Sequence, residues 1–291
     1  MFQWFLPAKE QKQIYTQPSL LYFANSAAGT MFLPPRMMHA HEDRAEITYV
    51  SGGSGTYIID NQRYKVKKGD IIIVEPRQIH DEKKDSDNNL SVFCLGMAGI
   101  RLPGLRRNQI LPDGAVPVLH SGSLEPHIEN LLMCMFEQLL LKSEKEALSV
   151  CSHLMEALFS MIREIPVEFV KSNGLETDVD YARHIKTYLD QHYNESCSLD
   201  EMAEQLNMST SYLAHTFKDA TGYSPGQYMI WRRIGEAQTL LCITKYPVTQ
   251  VATMVGYDNT NYFSSLFKKM VEMKPKEYRD YWLGKEKVNK S

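Results

Sequence analysis

The chain has 291 residues, of which 43% are hydrophobic and 23% charged, a balance typical of a globular protein large enough for two hydrophobic cores. Its formal net charge of −3 gives no overall sign of nucleic-acid binding. The charge is unevenly distributed, however, because residues 212–291 carry twelve Lys or Arg and seven Asp or Glu, a net charge of +5. Any nucleic-acid surface is therefore expected in the C-terminal part of the chain.

The cysteines argue against a disulfide framework and against a zinc ribbon. They are five in number, widely spaced and never in a Cys-x-x-Cys pair: Cys94, Cys134, Cys151, Cys197 and Cys242. The N-terminal sequence lacks the basic stretch and apolar core of a signal peptide, and no run reaches the ~18 apolar residues of a membrane span. The sequence thus predicts a cytoplasmic protein with buried thiols and no membrane association.

Residues 20–97 carry short β-like segments separated by turn sequences. EITYV, TYIID, RYKV and DIIIVEP are rich in β-branched residues, and SGGSG and KKGD between them are typical of turns. Evenly spaced short strands indicate a sandwich or a barrel. Residues 98–122, rich in Gly and Pro, are predicted to be irregular and to complete an N-terminal domain over residues 1–122.

Helical periodicity begins at Leu124, where apolar residues recur on both sides of the polar stretch KSEKE. We expect two helices, over 124–142 and 145–165, that form a hairpin within residues 123–165. Such a hairpin either packs on the sheet of its own domain or pairs with a second copy of the chain. Its many Leu and Met residues fit both uses.

Residues 166–179 are predicted to be an exposed linker, followed by a helical domain over 180–283 and a tail over 284–291. The helical domain repeats itself at a spacing of fifty residues: SYLAHTFKDA at 211–220 is matched by NYFSSLFKKM at 261–270. In both copies Phe and Lys are followed by a Pro and a Tyr at the same offsets. Two matched copies are hard to explain by packing alone.

Each repeated helix is preceded by a helix that ends in a tight turn. Ala203 lies four residues before Asn207, and Ala252 four before Gly256. A small residue lets two helices cross closely, while Asn or Gly tolerates a left-handed turn. The sequence therefore predicts two helix-turn-helix units joined by a helix over residues 225–241, with Ser198 and Glu201 forming a capping box.

The second helix of each unit has an apolar face and a small, polar, basic face. Leu213 and Phe217 belong to the first apolar face, and Phe263 and Phe267 to the second. A helix-turn-helix presents the opposite face to the major groove, where small polar side chains approach bases and lysine reaches phosphate. Two such helices would allow one chain to read two successive groove segments.

These features resemble the DNA-binding domain of the AraC/XylS family of bacterial transcription regulators. SYLAHTFKDATGYSP, RRIGEAQTLL, VATMVGYDNTNYFSSLFKK and PKEYR occur in the family's order within residues 180–283. One departure is that Glu272 and Lys274 stand where the first copy has Gly222 and Ser224.

The resemblance implies a DNA-contacting role for the polar faces of the two helices. The implied residues are Thr210, Ser211, Ala214, His215 and Lys218 in the first copy, and Thr260, Asn261, Ser264, Ser265, Lys268 and Lys269 in the second. Arg233 is expected to anchor the connecting helix instead. The family resemblance further implies double-stranded DNA, RNA polymerase and a second copy of the chain as partners, and a small-molecule effector bound by the N-terminal domain.

In the N-terminal domain, HAHEDRAEITYV contains His39, His41 and Glu46, and PRQIH contains His80. Their spacing resembles that of the two cupin motifs, although Leu33 and Lys84 depart from them. The fold predicted for the whole chain is multidomain α+β, with an N-terminal cupin-like β-barrel and a C-terminal all-α double helix-turn-helix domain.

The four cupin-motif residues are predicted to converge, because residues two apart on a strand share a face. Three imidazoles and a carboxylate suit a divalent transition metal, or they hydrogen-bond a hydroxyl-rich effector such as a sugar, or they are inherited scaffold. Tyr22, Tyr49 and Tyr57 are expected to cover the apolar face of such a sugar. The sequence favours a DNA-binding regulator that is not an enzyme and needs no cofactor. The alternatives are a metal-dependent cupin enzyme with a fused helical domain and a regulator whose barrel binds no effector.

Overall fold

The structure, a computed structural model, describes residues 18–26, 39–41, 43–60, 62–82, 89–141, 144–169, 178–195 and 198–282. The predictions that concern Leu33, Lys84, Cys197, the tail and residues 170–177 of the linker lie outside the described residues.

The described residues of the N-terminal domain form two antiparallel sheets. The strands are β1 (Ser19–Ser26), β2 (Ala45–Gly52), β3 (Ser54–Ile59), β4 (Gln62–Lys67), β5 (Asp70–Val74), β6 (His80–Glu82), β7 (Ser91–Ala98) and β8 (Val118–His120). The larger sheet has the order β1-β7-β2-β5-β8 and the smaller one the order β4-β3-β6. The segment 98–122, predicted to be irregular, contains β8, a strand of three residues that is too short to show a sequence pattern.

The two sheets share one apolar interior, to which Val50 and Ile72 contribute from the larger sheet and Ile59 and Val66 from the smaller. The other face of the larger sheet carries Ile47 and is covered by helices α1 (Glu125–Leu141) and α2 (Glu144–Arg163). Both predicted helices are thus present, and their inner faces pack on their own sheet.

The C-terminal domain is all helical. Its helices are α3 (Asp178–His192), α4 (Leu199–Gln205), α5 (Thr210–Thr221), α6 (Pro225–Ile243), α7 (Val248–Met254), α8 (Thr260–Val271) and α9 (Pro275–Trp282). Leu213 and Phe217 of α5 pack in one core, and Phe263 and Phe267 of α8 pack in a second. The α4–α5 and α7–α8 pairs are the two predicted helix-turn-helix units.

The predicted turn chemistry is present in both units. Asn207 and Gly256 have φ angles of 53° and 84°, in the left-handed region that Asn and Gly tolerate. At Gly256 a Cβ would also lie 2.7 Å from the carbonyl oxygen of Asn194, so only glycine fits. Ser198 and Glu201 form the predicted capping box at the start of α4.

The two copies differ in the residues that end their second helices, α5 and α8. Gly222 and Glu272 end α5 and α8 with φ angles of 81° and 64°, so a glutamate occupies the left-handed position for which the first copy uses glycine. In place of the Ser224 cap, the backbone N–H of Lys274 donates to the Glu277 carboxylate at 2.9 Å. The second copy therefore has the same left-handed turn as the first, although Glu272 is less suited to this conformation than Gly222.

We expect Glu272→Gly to raise the free energy of unfolding by up to about 1 kcal/mol. A left-handed conformation costs a residue with a Cβ about 1–2 kcal/mol, and the extra freedom of glycine in the unfolded chain offsets part of this gain. The matched substitution in the first copy, Gly222→Ala, should lower stability by a similar amount. Urea denaturation followed by far-UV circular dichroism measures both, and an unchanged or lower stability of Glu272→Gly would contradict the assignment of strain.

Candidate functional site

Four titratable residues converge inside the β-domain. His39, His41, Glu46 and His80 are each at most 5% exposed, and each offers one potential ligand atom within 4.8 Å of the others. The spacing in the sequence predicted this convergence, and the burial of all four residues shows that the cluster does not face solvent. The cluster is called the interior site below.

Backbone pairing brings the separate segments of the interior site together. His39 and His80 form an isolated β-bridge in which each backbone N–H donates to the carbonyl of the other, at 3.2 and 2.9 Å. The carbonyl of His41 accepts from the N–H of Arg77 at 2.6 Å. The ring centroids of His39 and His80 are consequently 4.2 Å apart, and those of His39 and His41 4.9 Å apart.

Tyr22 reaches the site from β1. Its hydroxyl donates to Oε2 of Glu46 and lies 3.4 Å from Nε2 of His41. Gly96 of β7 pairs with both Tyr22 and Glu46, and a Cβ at this position would lie 2.1 Å from the Tyr22 ring. Glycine is therefore required for Tyr22 to cross β7. Sequence reasoning missed Gly96, although a lone glycine inside an apolar strand is a recognised sign of close approach.

The other two predicted tyrosines occupy different places. The Tyr57 ring stacks parallel to the ring of His80, with 6.4 Å between centroids and 11° between planes. Tyr49, in contrast, lies with Ile47 in the core beneath the helices. The prediction that Tyr49 lines the site is wrong, because Tyr49 is three residues from Glu46 on β2 and side chains an odd number of residues apart point to opposite faces of a strand.

The carboxylate of Glu46 is stabilised in its charged form. Burial alone would raise the pKa of Glu46, but the charge of His80 and hydrogen bonds from His41 and His80 hold that pKa well below its ordinary value. The interior site therefore combines an ionised carboxylate with three imidazoles.

The interior site is directly next to the first helix-turn-helix unit. Ala40 lies between His39 and His41, and Ile79 precedes His80. Both Ala40 and Ile79 are buried in the core that contains Leu213 and Phe217 of α5. The two domains thus share an apolar contact formed by chain neighbours of the site residues.

An ion pair between a buried lysine and two half-buried carboxylates accompanies this contact. Lys186 of α3 donates to Asp60, in the turn between β3 and β4, at 2.9 Å and to Asp190 at 2.7 Å. Asp60 also accepts from the N–H of Ile79 at 3.1 Å, and Asp190 accepts from the Tyr228 hydroxyl at 2.7 Å. Burial alone would lower the pKa of Lys186, but the charges of Asp60 and Asp190 raise it, so the ammonium stays protonated.

The polar face of α5 remains accessible in the full chain. Ser211, His215 and Lys218 are exposed, and Ala214 is half-buried. Thr210 is also half-buried, and its hydroxyl donates to Asp200 of α4 at 2.6 Å, which holds the two helices of the unit together.

The polar face of α8 has the same arrangement. Asn261, Ser265, Lys268 and Lys269 are exposed, and Thr260 and Ser264 are half-buried. The side chain of Asn259 caps the helix by accepting from the N–H groups of Asn261 and Tyr262, both at 3.0 Å.

Arg233 anchors the connecting helix α6, as expected from the sequence. Its guanidinium donates to the carbonyls of Tyr193 and Glu195 beyond α3 and to the carbonyl of Gly256 in the turn of the second unit. It also lies 5.2 Å from the centroid of the Tyr257 ring. Arg233 therefore holds α6 against the segment that follows α3 and against the turn of the second unit, and does not belong to the exposed faces.

Two family models match separate parts of the chain. A model described as an AraC-like ligand binding domain matches residues 26–160, and a model described as a helix-turn-helix domain matches residues 202–281. Within the described part of the chain, no helix has the length and apolarity needed to cross a membrane.

Similar curated proteins cover most of this chain. A regulator named YdiP, an uncharacterized HTH-type transcriptional regulator of Escherichia coli K12, is 27% identical over 83% of this chain and 80% of its own length. The HTH-type transcriptional activator RhaS of Escherichia coli is 27% identical over 88% of this chain and 94% of its own length. The lactose operon transcription activator of Staphylococcus xylosus is 23% identical over 80% of this chain and 82% of its own length.

Solved structures show likeness to the C-terminal domain and to the whole chain. The C-terminal domain of AraT, a response regulator from Geobacillus stearothermophilus, is 33% identical and covers 35% of this chain and 84% of its own, with a TM-score of 0.34. ToxT from Vibrio cholerae O395 is 12% identical and covers 94% of this chain and 100% of its own, with a TM-score of 0.46. On the family models and the curated relatives, the chain belongs to the AraC family of transcriptional regulators, with an AraC-like ligand-binding domain followed by an AraC-type helix-turn-helix domain.

Proposed function

We propose that the chain is a sequence-specific DNA-binding regulator that reads two successive major-groove segments with α5 and α8, and that an effector in the interior site controls its binding. The observation that carries the proposal is the pair of helix-turn-helix units with matching turns and exposed polar faces. DNA and RNA polymerase are its proposed partners, and the cytoplasm is its proposed location.

The exposed side chains divide into two roles. Ser211, His215, Asn261 and Ser265 are short enough to meet base edges when their helices enter a groove. Lys218, Lys268 and Lys269 are placed one or two turns further along, where they reach phosphates. Thr210, Ala214, Thr260 and Ser264 are less exposed and supply close packing against the groove. Successive major-groove segments on one face of DNA are about 34 Å apart, so this reading requires a fixed spacing between α5 and α8. The helix α6 joins the two units, and Arg233 of α6 donates to the carbonyl of Gly256 in the turn of the second unit.

We expect His215→Ala and Asn261→Ala each to relax the preference at one or two base positions by about 1–3 kcal/mol, in different groove segments. Lys268→Ala should weaken binding to all sequences and lower the salt slope by about one unit, because one phosphate contact is lost. The measurement is fluorescence anisotropy of the full chain on a duplex selected from a random library, with base substitutions at each position.

The matched control is Lys67→Ala, which removes an exposed lysine of β4, outside the helical domain, and should leave the affinity unchanged. Hydroxyl-radical footprinting of the same complex should protect two adjacent groove segments. Protection of a single segment would contradict the use of both helices.

The interior site is the proposed effector site, and its chemistry fits a polyhydroxylated molecule. His39, His41, Glu46 and His80 supply donors and acceptors, the Tyr22 hydroxyl adds another, and the Tyr57 ring offers an apolar face. One relative is named as the activator of a lactose operon. A sugar is accordingly the effector class that we propose.

The contact between the domains is the proposed path by which effector binding changes DNA binding. An effector that displaces His39, His41 or His80 also displaces Ala40 and Ile79, which pack on the core of the first helix-turn-helix unit. Asp60 links the same point to Lys186 of α3.

A thermal-shift screen of mono- and disaccharides, lactose included, tests the effector proposal. We expect one sugar to stabilise the wild-type chain and the control His153→Ala, whose side chain is exposed on α2, but not the His41→Ala, His80→Ala double variant.

Asp60→Asn keeps the hydrogen bond to Ile79 but removes the charge that faces Lys186. This variant should bind the sugar normally but show a smaller sugar-induced change in DNA affinity. In allosteric proteins such a change in affinity is typically about 5- to 150-fold.

Survival of the stabilisation in the double variant would place the effector elsewhere. An unaltered DNA response in Asp60→Asn would exclude the ion pair from this path.

We propose that the chain forms a homodimer through the outer faces of α1 and α2. Leu140 and Leu141 are 67% and 81% exposed at the end of α1, and Met133 and Leu148 are exposed nearby. Since the inner faces already cover the sheet, these residues are in excess of what the domain core uses. The occupant that we propose is the same surface of a second copy, in a two-fold arrangement.

We expect the wild-type chain to sediment as a dimer and the Leu140→Glu, Leu141→Glu double variant as a monomer, because buried unpaired carboxylates oppose association. Ile243→Glu, at a residue 60% exposed in the helical domain, is the control and should remain dimeric. A monomeric wild type, or a dimeric double variant, would contradict this interface.

A further inference from the structure

A cleft of about 660 Å³ lies on the β-domain, apart from the interior site. Its walls are formed by the end of β5, the turn that follows it and residues 106–117, the segment that leads to β8. More than half of its lining residues are polar or charged, and three of them are arginines: Arg77, Arg106 and Arg107. The cleft is called the arginine cleft below. Its volume falls within the range of about 300–1,000 Å³ that is usual for small-molecule sites.

Two of the three carboxylates that line the arginine cleft are paired with cations. The Lys186 ammonium donates to Asp60 at 2.9 Å, and the Arg106 guanidinium donates to Asp113 at 2.7 Å. Arg107, in contrast, is exposed, and its guanidinium forms no ion pair or hydrogen bond within the described part of the chain. The cleft therefore contains a guanidinium that no carboxylate of the described residues neutralises.

The third carboxylate of the cleft belongs to Glu75, which is half-buried. It accepts from the backbone N–H groups of Ile110 and Leu111 at 3.0 and 2.7 Å. Burial raises the pKa of Glu75 to about 7, although these hydrogen bonds and the charge of Arg106 lower it. Near neutral pH about half of the chains therefore carry an uncharged Glu75, which weakens the repulsion of an anionic ligand.

The backbone holds two of the arginines on fixed turns. Arg77 has a φ angle of 70°, in the left-handed region that is unfavourable for a residue with a Cβ, and its N–H donates to the carbonyl of His41 at 2.6 Å. Asn108, next to Arg107, has a φ angle of 63°, is buried and accepts from the N–H of Ile100 at 3.0 Å. Such conformations persist where the surrounding structure enforces them, and they cluster at ligand sites. Fixed turns also lower the entropy that is lost when a ligand binds.

We propose that the arginine cleft binds a small phosphorylated molecule, whose phosphate accepts hydrogen bonds from Arg77 and Arg107. A guanidinium donates two parallel hydrogen bonds to a carboxylate or a phosphate. One guanidinium satisfies the two oxygens of a carboxylate, whereas the three terminal oxygens of a phosphate monoester accept from two guanidiniums. The volume of the cleft leaves room for the rest of a molecule as large as a sugar phosphate.

This proposal is independent of the effector assigned to the interior site, because none of the four residues of that site lines the arginine cleft. The cleft is nevertheless next to the contact between the domains, since Asp60 lines it and binds Lys186 of α3.

The test is isothermal titration calorimetry of the full chain at pH 8 and constant ionic strength, with inorganic phosphate and glucose 6-phosphate as probes. Both should bind to the wild type, and Arg107→Ala should weaken both by about tenfold or more, because charge-assisted hydrogen bonds are lost. Arg77→Gly should have a similar effect while it keeps the turn, since glycine adopts a φ angle of 70° without strain. The matched control is Arg101→Ala, which removes an exposed arginine of the same segment that does not line the cleft and should leave the affinity unchanged.

A further variant should change the affinity in the opposite direction. At pH 8 Glu75 is ionised in most chains, because its pKa is about 7. Glu75→Gln keeps an oxygen that can accept from Ile110 and Leu111 but removes the negative charge, so phosphate should bind about two- to tenfold more tightly. A variant that only disturbs the fold would not improve binding.

Absence of phosphate binding to the wild type at millimolar concentrations would overturn the proposal, as would an unchanged affinity in both Arg77→Gly and Arg107→Ala. Equal losses in Arg101→Ala would show a general attraction of anions to the surface and would overturn it as well. Citrate and glucose test the ligand class. Tighter binding of citrate than of glucose 6-phosphate, or a glucose affinity that falls with the arginine substitutions, would contradict recognition of a phosphate.

Discussion

Neighbouring side chains of an extended backbone point to opposite sides, and this alternation joins the two halves of the molecule. His39 and His41 face the interior of the β-domain, while Ala40 between them packs on the first helix-turn-helix unit. The same holds for His80 and Ile79. The site residues and the residues of the interdomain contact therefore belong to the same two short segments, 39–41 and 79–80, and a backbone movement in either segment acts on both.

An ion pair between a buried lysine and two half-buried carboxylates adds specificity to this apolar contact. Lys186 is 8% exposed, and the hydrophobic effect alone would not place an ammonium there. Its two carboxylate partners come from different domains, Asp60 from the β-domain and Asp190 from α3. Separation of the domains would break the Lys186–Asp60 contact, so this contact forms only in the observed arrangement of the two domains.

Local features of the fold were predictable from the sequence because they depend on short-range chemistry. The repeat at fifty residues, the left-handed positions Asn207 and Gly256 and the capping box at Ser198 all follow from residue type and spacing. The convergence of the four site residues followed from the spacing of a recognisable motif. Tyr49 was misplaced although strand periodicity alone, counted from Glu46, would have excluded it.

Long-range features had no comparable signal. The Lys186–Asp60 pair joins residues that are 126 positions apart, and nothing near either residue indicates the partner. A lone glycine such as Gly96 indicates that some group approaches the strand closely, but the group itself, the Tyr22 ring, is identified only when β1, β7 and β2 are aligned.

Hydrogen–deuterium exchange of the full chain with Lys186→Met, compared with the wild type, tests the linkage of the two halves most directly. Since the interior site and the first helix-turn-helix unit share one contact, the account predicts faster exchange both in α3 and α5 and at residues 39–41 and 79–80. Faster exchange confined to α3 and α5, with unchanged protection at residues 39–41 and 79–80, would contradict it.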